Sequence, residues 1–387
     1  MHVAINGWFW DEPTAGSGQY TKQLAEALDS LDVDLRISLV VPGRIADGHR
    51  QGVDGGRQAA LPGSCKVHSI SNPGTNLGKL RFEQGAFPHA CARLGADVAH
   101  VPYWAPPLRS PVPLVVTVHD LIPLLLPRYR GGALQRLYTA LVSATVRGAS
   151  QVLTDSKASR EDILSHLRLR PERVRAVPLA AADHYGPEPS PDEEAVRARY
   201  GLPERYVLYL GGFDVRKNLA TVLATYRWVG PALGQTCPLV IAGRLPEQDT
   251  AFAPDPRRLM RDEKVDERLI YFSGFVDEAD KPALYRGAVA FIFPSLYEGF
   301  GLPPLEALAC GTPVVGSDAA SLPEVVGDAG VLLPPFDAEG MARALIQLAT
   351  DESFHLEMTR RALNQATRFS WDRTARATFQ TYREALG

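Results

Sequence analysis

Short, uninterrupted apolar runs alternate along this chain with helix-length amphipathic stretches, and the alternation persists over most of its length. The runs predict strands at Val3–Asn6, Ile37–Val41, Val67–Ile70, Val98–Val101, Val115–His119, Val152–Thr154 and Val174–Pro178. His184–Pro191 then sets three prolines in eight residues, which disfavours regular structure. Beyond it the pattern restarts, at Tyr206–Leu210, Leu239–Ala242, Ile270–Phe272, Val289–Phe293, Val314–Gly316 and Val331–Leu333. Strands that are apolar throughout, rather than at alternate positions, suit burial on both faces, as in parallel α/β sheets. Two such series predict an α/β chain of two doubly wound, Rossmann-like domains, 1–185 and 186–369, with a ligand in the cleft between them. From Ser370 onward, Ala375, Phe379, Tyr382 and Leu386 mark an amphipathic helix (370–387) whose apolar face needs a partner. Ala46–Ser64 is polar and glycine-rich and reads as an irregular excursion.

Composition narrows the function classes. The 387 residues are 45% hydrophobic and 22% charged, enough to bury two ordinary cores. A net charge of −3 supplies no global cationic field for nucleic acid or acidic membranes. Met1–Ile5 leads directly into a strand, without the basic and long apolar regions of a signal peptide. No apolar run approaches the roughly 18–20 residues that span a bilayer. Cys65, Cys91, Cys237 and Cys310 lack CxxC spacing, which suggests reduced thiols in the cytoplasm and disfavours a secreted binding protein.

The chemistry concentrates between Phe293 and Glu306. A strand ends at Phe293, a loop carries Glu298, Gly299, Phe300, Gly301 and Leu302, and Pro303 and Pro304 suit the first turn of a helix. That helix should be short, because Gly311 and Pro313 supply a stop. Strand, glycine loop and helix N-terminus together make an anion site, with amides and the positive dipole end facing outward. Since the prolines have no N–H, the donors should come from Gly299 to Leu302. Glu298, before the loop, and Glu306, expected in the helix's first turn, could bracket a ligand, because carboxylates bind sugar hydroxyls strongly. Taken singly, Glu298 reads equally well as a surface loop residue and Glu306 as a residue compensating the helix dipole.

Together, Glu298, seven intervening residues and Glu306, within PSLYEGFGLPPLEALACGTPVV, resemble the E-x7-E signature of the retaining glycosyltransferases of family 4. GFVDEADKPALYRGAVAFIFPS, SLPEVVGDAGVLLPP and FSWDRTARATFQTYREAL share that style, so the resemblance spans nearly the whole chain. It implies a GT-B fold, two Rossmann-like domains facing across a deep cleft, with the terminal helix returning to the N-terminal domain. It further implies that Glu298 contacts the donor hexose and Glu306 the ribose, while the amides of Phe300, Gly301 and Leu302 hold the diphosphate and sugar.

Three other stretches fit that frame. Arg216, Lys217 and Asn218 follow the strand ending at Leu210, and adjacent cations suit a diphosphate that gains charge as the glycosidic bond breaks. The common family pattern has a Gly-Arg pair ahead of the Lys; Gly212 stands where that Arg is expected, and Arg216–Asn218 resembles the variant Arg-Lys-Asn form. Gly16 and Gly18 open a helix after the first strand; a lone GxG is weak, but resembles the family's acceptor-side glycine loop, where backbone approaches the donor phosphate. His119 sits at the C-terminal end of a buried strand, and the resemblance implies that it reaches the donor sugar's outer hydroxyls. Asp120 either orients it or caps the next turn, and Asp155–Ser156 either faces the cleft or caps the following helix. Asp32 and Asp34 form a D-x-D in a connection and read as a solvated turn, not a metal site. No His, Cys and Asp cluster has metal spacing, so no metal or other cofactor is expected, and Arg216 and Lys217 stand in for a divalent cation.

The expected activity is transfer of a hexosyl group, with retention, from a nucleoside-diphosphate sugar to an acceptor hydroxyl on a glycan, lipid-linked sugar or small metabolite. The catalytic set is His119, Arg216, Lys217 and Glu298. GDP-mannose is the favoured donor, because HDLIPLLLP and SLYEGFGLPPLEAL most resemble polysaccharide mannosyltransferases. The rivals are another GT-B enzyme, such as a nucleotide-sugar epimerase or sugar-phosphate synthase, and a non-catalytic two-domain sugar-binding protein. A lipid-linked acceptor would bring weak peripheral contact with the inner membrane face, although no strongly basic amphipathic helix demands it. The sequence does not specify the oligomeric state.

Overall fold

The computed structural model describes residues 1–12, 16–43 and 65–387. The excursion expected at Ala46–Ser64 therefore lies outside the described residues, as does Ala15 just before the Gly16–Asp29 helix. The chain divides into two compact units, Met1–Leu179 with Ser370–Gly387, and Ala180–Phe369.

The first unit is built on β1 (His2–Asn6), β2 (Arg36–Pro42), β3 (Lys66–Ile70), β4 (Val98–Val101), β5 (Leu114–Thr117), β6 (Gln151–Thr154) and β7 (Val174–Ala176). They pair in the order β3-β2-β1-β4-β5-β6-β7, every pair parallel. Every residue of β1, β4 and β5 is buried, which explains why these strands read as unbroken apolar runs. The second unit carries β8 (Val207–Leu210), β9 (Leu239–Ala242), β10 (Ile270–Gly274), β11 (Ala290–Phe293), β12 (Val314–Ser317) and β13 (Gly330–Leu333). Their order, β10-β9-β8-β11-β12-β13, is also parallel throughout. Each sheet reverses direction beside its first strand, between β1 and β4 and between β8 and β11. Doubly wound sheets bind ligands outside the carboxyl ends of the strands at such a reversal.

One expected boundary shifts. β5 ends at Thr117, so His119 lies past the strand and not in it. Val118 N–H still donates to Leu153 O at 2.8 Å, after which Asp120 Oδ1 accepts the Ile122 N–H at 2.9 Å and turns the chain away from the sheet.

The helix Trp371–Leu386 belongs to the first unit through specific bonds. Thr374 Oγ1 donates to Pro178 O at 2.7 Å, Arg175 meets Glu384 at 2.7 Å, and Tyr382 OH lies 2.7 Å from His100 Nδ1. Of the expected stripe, Ala375 and Tyr382 are wholly buried and Phe379 partly, whereas Leu386 is 48% exposed; Thr374, Thr378 and Thr381 complete the buried face.

Candidate active site

In the second unit, the loops leaving β8 and β11 converge on one carboxylate. After β8 the chain turns through Gly211 and Gly212, and Tyr209 OH donates to Gly212 O at 2.6 Å. A short 3-10 turn, Val215–Lys217, follows, and Asn218 closes it in the left-handed region at φ 56°. Asn218 is buried; its amide donates to Pro294 O at 3.1 Å and Pro335 O at 2.7 Å, while its Oδ1 accepts from Thr221. Its side chain thus fastens the Arg216–Lys217 turn to the loop after β11.

That fastening puts both cations on Glu298. Lys217 Nζ donates to Glu298 Oε1 at 2.7 Å, Arg216 Nη1 to Oε2 at 2.5 Å, and Ser295 Oγ to Oε1 at 2.6 Å. Arg216 also reaches Tyr297 O at 2.9 Å and lies 3.6 Å from Asp214. Glu298 is 9% exposed. Burial pushes its carboxyl pKa upward, but Lys217 and Arg216 outweigh burial and hold it below the usual carboxylate value. The group is a carboxylate whose oxygens are already committed, not an acid or base in waiting.

The loop beyond Glu298 is held from beneath. Ser321 Oγ lies 2.9 Å from Glu298 O and 2.5 Å from Phe300 O, and the Phe300 ring packs edge-on against Phe369 at 5.8 Å. Gly301 sits at φ 114° as the residue preceding the Leu302–Ala309 helix, and a Cβ there would lie 2.9 Å from Leu322. Only glycine tolerates both constraints cheaply. The first turn of a helix leaves its N–H groups without intrahelical acceptors. Pro303 and Pro304 have no N–H, so the backbone donors at this helix start are limited to Leu302 and the loop before it.

Glu306 is the fifth residue of that helix, in its second turn rather than the first, where the sequence reading placed it. It is 8% exposed, and its Oε2 accepts Tyr285 OH at 3.0 Å. Burial raises its carboxyl pKa, partly opposed by Lys281. The two glutamates therefore shift in opposite directions, one gripped by cations and the other governed by burial beside Tyr285.

In the first unit, His119 is held at both ring nitrogens. Nδ1 is 2.8 Å from Asp155 Oδ2 and Nε2 is 3.2 Å from Pro102 O. A carboxylate and a carbonyl can only accept, so the arrangement suits a ring that donates from both sides. Burial alone would depress the imidazole pKa, but Asp155, then Asp120 and the Pro102 carbonyl, raise it overall. Tyr20 stands edge-on to the ring at 4.8 Å. Beneath it runs a buried chain: Tyr20 OH to Thr117 Oγ1 at 3.1 Å, Thr117 to His100 Nε2 at 2.9 Å, and His100 to Tyr382. Burial pushes the His100 pKa down to about 3, so that ring stays neutral.

The alternatives left open in the sequence divide here. Asp155, not Asp120, orients His119, and Asp120 caps the following turn. Ser156, not Asp155, caps the Lys157–Leu167 helix, through Ser159 N–H. Ser295, Tyr285 and Ser321 escape the sequence reading, since each lies far in sequence from its partner or looks like ordinary loop chemistry.

Gly16 and Gly18 differ. A Cβ on Gly18 would fall 2.2 Å from Glu12 O and 2.6 Å from Phe9 O, whereas one on exposed Gly16 would meet nothing within 4 Å among the described residues. Gly18 is thus required by the chain's own packing, and Gly16 is not. Asp32 and Asp34 are exposed in a bend before β2. Among the described residues no group of three or more His, Cys, Asp or Glu is arranged to hold a metal ion.

Comparison with known proteins gives consistent matches. Residues 15–180 match the glycosyl transferase 4-like domain and residues 204–351 match glycosyl transferases group 1. The chain is 33% identical over 270 residues to the O-antigen chain mannosyltransferase B of Escherichia coli, covering 70% of each. It is 27% identical to the serotype-specific mannosyltransferase WbdA of Escherichia coli over the whole of this chain, which spans 48% of that relative's length. Sucrose-phosphate synthase from Thermosynechococcus elongatus shares the fold, at TM-score 0.73 and 22% identity, over 99% of this chain and 98% of the other. The fold is GT-B.

Proposed function

This chain belongs to the group 1 glycosyltransferases, and we propose that within that family it moves a mannosyl group from GDP-mannose to an acceptor hydroxyl, with retention. The observation that carries the reading is the grip of Lys217 and Arg216 on Glu298 beside the Gly301 helix start, at the strand-order reversal of the second sheet. A diphosphate placed there would take the two cations and the amides of Phe300, Gly301 and Leu302, while Glu298 would turn to the sugar hydroxyls. Gly299 and Gly212 supply turn backbone without side-chain bulk, and Glu306 is assigned to the ribose. The second unit is thus the donor-binding one, and the first, with Gly16, Gly18 and His119, the acceptor-side one.

In the step itself the bond between the sugar's anomeric carbon and the β-phosphate oxygen breaks, and a bond from the acceptor oxygen to that carbon forms on the same face. The acceptor proton passes to the departing phosphate oxygen, and the nucleoside diphosphate leaves. Charge grows on that phosphate as the bond lengthens, where Lys217 and Arg216 act most strongly and serve in place of a metal ion. His119, whose protonated form Asp155 favours against burial, is assigned to a sugar hydroxyl. Mannose is chosen because two relatives are named mannosyltransferases, and guanine because HDLIPLLLP and SLYEGFGLPPLEAL resemble polysaccharide mannosyltransferases that use GDP-mannose. The acceptor is a glycan, a lipid-linked sugar or a small metabolite.

The test is a panel of GDP- and UDP-sugars scored by thermal stabilisation and then by product analysis with and without glycan acceptors. GDP-mannose should stabilise the protein most and give GDP plus mannosylated acceptor with the anomeric configuration kept. Preference for a UDP-sugar would overturn the donor assignment, and conversion of donor without acceptor into an isomer would point to an epimerase.

A further inference from the structure

A line of buried hydrogen bonds runs from the terminal helix to the neighbourhood of His119. Tyr382 OH lies 2.7 Å from His100 Nδ1, His100 Nε2 lies 2.9 Å from Thr117 Oγ1, and Thr117 Oγ1 lies 3.1 Å from Tyr20 OH. Tyr382, His100 and Thr117 are wholly buried, and Tyr20 is 4% exposed. The line joins the terminal helix to β4, β5 and the Gly16–Asp29 helix, and its first bond closes a separation of 282 residues.

The line has a direction. A neutral imidazole carries one N–H, so one ring nitrogen of His100 donates and the other accepts, and burial keeps this ring neutral. With the Tyr382 hydroxyl donating into Nδ1, Nε2–H donates to Thr117 Oγ1, and the Thr117 hydrogen is left for Tyr20. Each bond therefore orients the next. Loss of the Tyr382 hydroxyl would strand a buried nitrogen, and satisfying it would require the rest of the line to rearrange.

At its far end the line meets the site. Tyr20 stands edge-on to His119, with ring centroids 4.8 Å apart and planes at 84°. Trp371, the first residue of the terminal helix, also packs on Tyr20, at 6.3 Å. The helix thus holds Tyr20 twice, by the Trp371 ring and by the Tyr382 hydroxyl. The bonds of His119 to Asp155 and Pro102 direct its nitrogens, and a ring in contact at that spacing restricts the imidazole from turning off them. Burial disfavours the His119 cation, Asp155 and Asp120 favour it, and Tyr20 is an uncharged wall whose phenol burial keeps protonated.

We propose that Tyr20 is a positioning residue for His119, and that the terminal helix sets it through Tyr382, His100 and Thr117. This role rests on the assignment of His119 to a sugar hydroxyl, and it makes the helix a determinant of turnover as well as of stability.

Histidine ring resonances are followed by NMR titration of the full chain without ligand, and kcat and KM are measured with GDP-mannose and a glycan acceptor. Tyr382→Phe and Thr117→Val should each move the His119 resonances and lower its pKa towards the ordinary imidazole value of about 6.5. Each should cut kcat roughly tenfold, with KM for the donor changing less. Thr117→Ser, which keeps the hydroxyl, should behave as wild type. Thr374→Val removes a different anchor of the helix, the bond to Pro178 O, and should lower the melting temperature without moving the His119 resonances or kcat. His119 resonances unmoved by both Tyr382→Phe and Thr117→Val would overturn the proposal. So would moved resonances with unchanged kcat, or a Thr374→Val protein that matches Tyr382→Phe in every readout. Full turnover by His119→Ala would overturn the assignment of His119 and this role with it, whereas unmoved resonances overturn the line alone, so the two readings fail separately.

Discussion

Removing both Arg216 and Lys217 should destabilise the second unit by far more than the two single removals suggest. Glu298 takes Lys217 at 2.7 Å and Arg216 at 2.5 Å, with the cation side chains 13% exposed and the carboxylate 11%. Replacing one cation by Ala leaves the other compensating the charge, so each single variant should lose about 1 kcal/mol, the worth of an ordinary hydrogen bond. Replacing both leaves a buried carboxylate with Ser295 as its remaining hydrogen-bond donor given above, which should cost about 4 kcal/mol. The excess, about 2 kcal/mol, is the coupling expected of groups sharing one partner. Adding Glu298→Gln to the double variant should recover most of the loss. Urea unfolding, read as midpoint shifts at constant slope, measures the four variants against the wild type. The pH dependence adds a second check. Because the cations hold the Glu298 carboxyl below its ordinary value, its stabilisation is present above about pH 4.3 and lost as pH falls through the native value. In the double variant burial acts unopposed, so acidification should instead relieve the penalty. Additive single losses, or no rescue by Glu298→Gln, would refute the claim that one buried carboxylate organises this site.

Asp155→Asn should lower the pKa of His119; the raised native value stabilises below the unfolded imidazole pKa of about 6.5 and is lost as pH rises through the native value, so histidine NMR titration and pH-dependent melting should both respond. Gly18→Ala should cost about 1–3 kcal/mol by overpacking, whereas Gly16→Ala should fold normally; if Gly16→Ala also keeps normal donor affinity by calorimetry, Gly16 has no binding role. Glu306→Gln should leave stability near pH 7 unchanged or improved, since burial already disfavours that charge, while raising KM for the donor; a large fall in melting temperature would contradict the dominance of burial there.

The strand series was legible in the sequence because parallel strands buried on both faces are mostly apolar, as β1, β4 and β5 are apart from His2, Asn6, His100 and Thr117. The strand, glycine loop and proline-started helix around Gly301 were legible too, since they are consecutive and local order alone dictates where Gly301 and Leu302 stand. The amphipathic face of Trp371–Leu386 announced a partner without naming it. What the sequence determined, then, was everything fixed by residues near one another in the chain: the elements, the glycine positions and the sign of charge along each loop. Tertiary structure decided which charges meet. The bonds of Lys217 to Glu298 and of His119 to Asp155 span 81 and 36 residues, and Glu306 owes its raised pKa first to burial. A carboxylate's chemistry follows from the desolvation and partners that folding imposes, which is why two glutamates identical in the sequence ended in opposite electrostatic states.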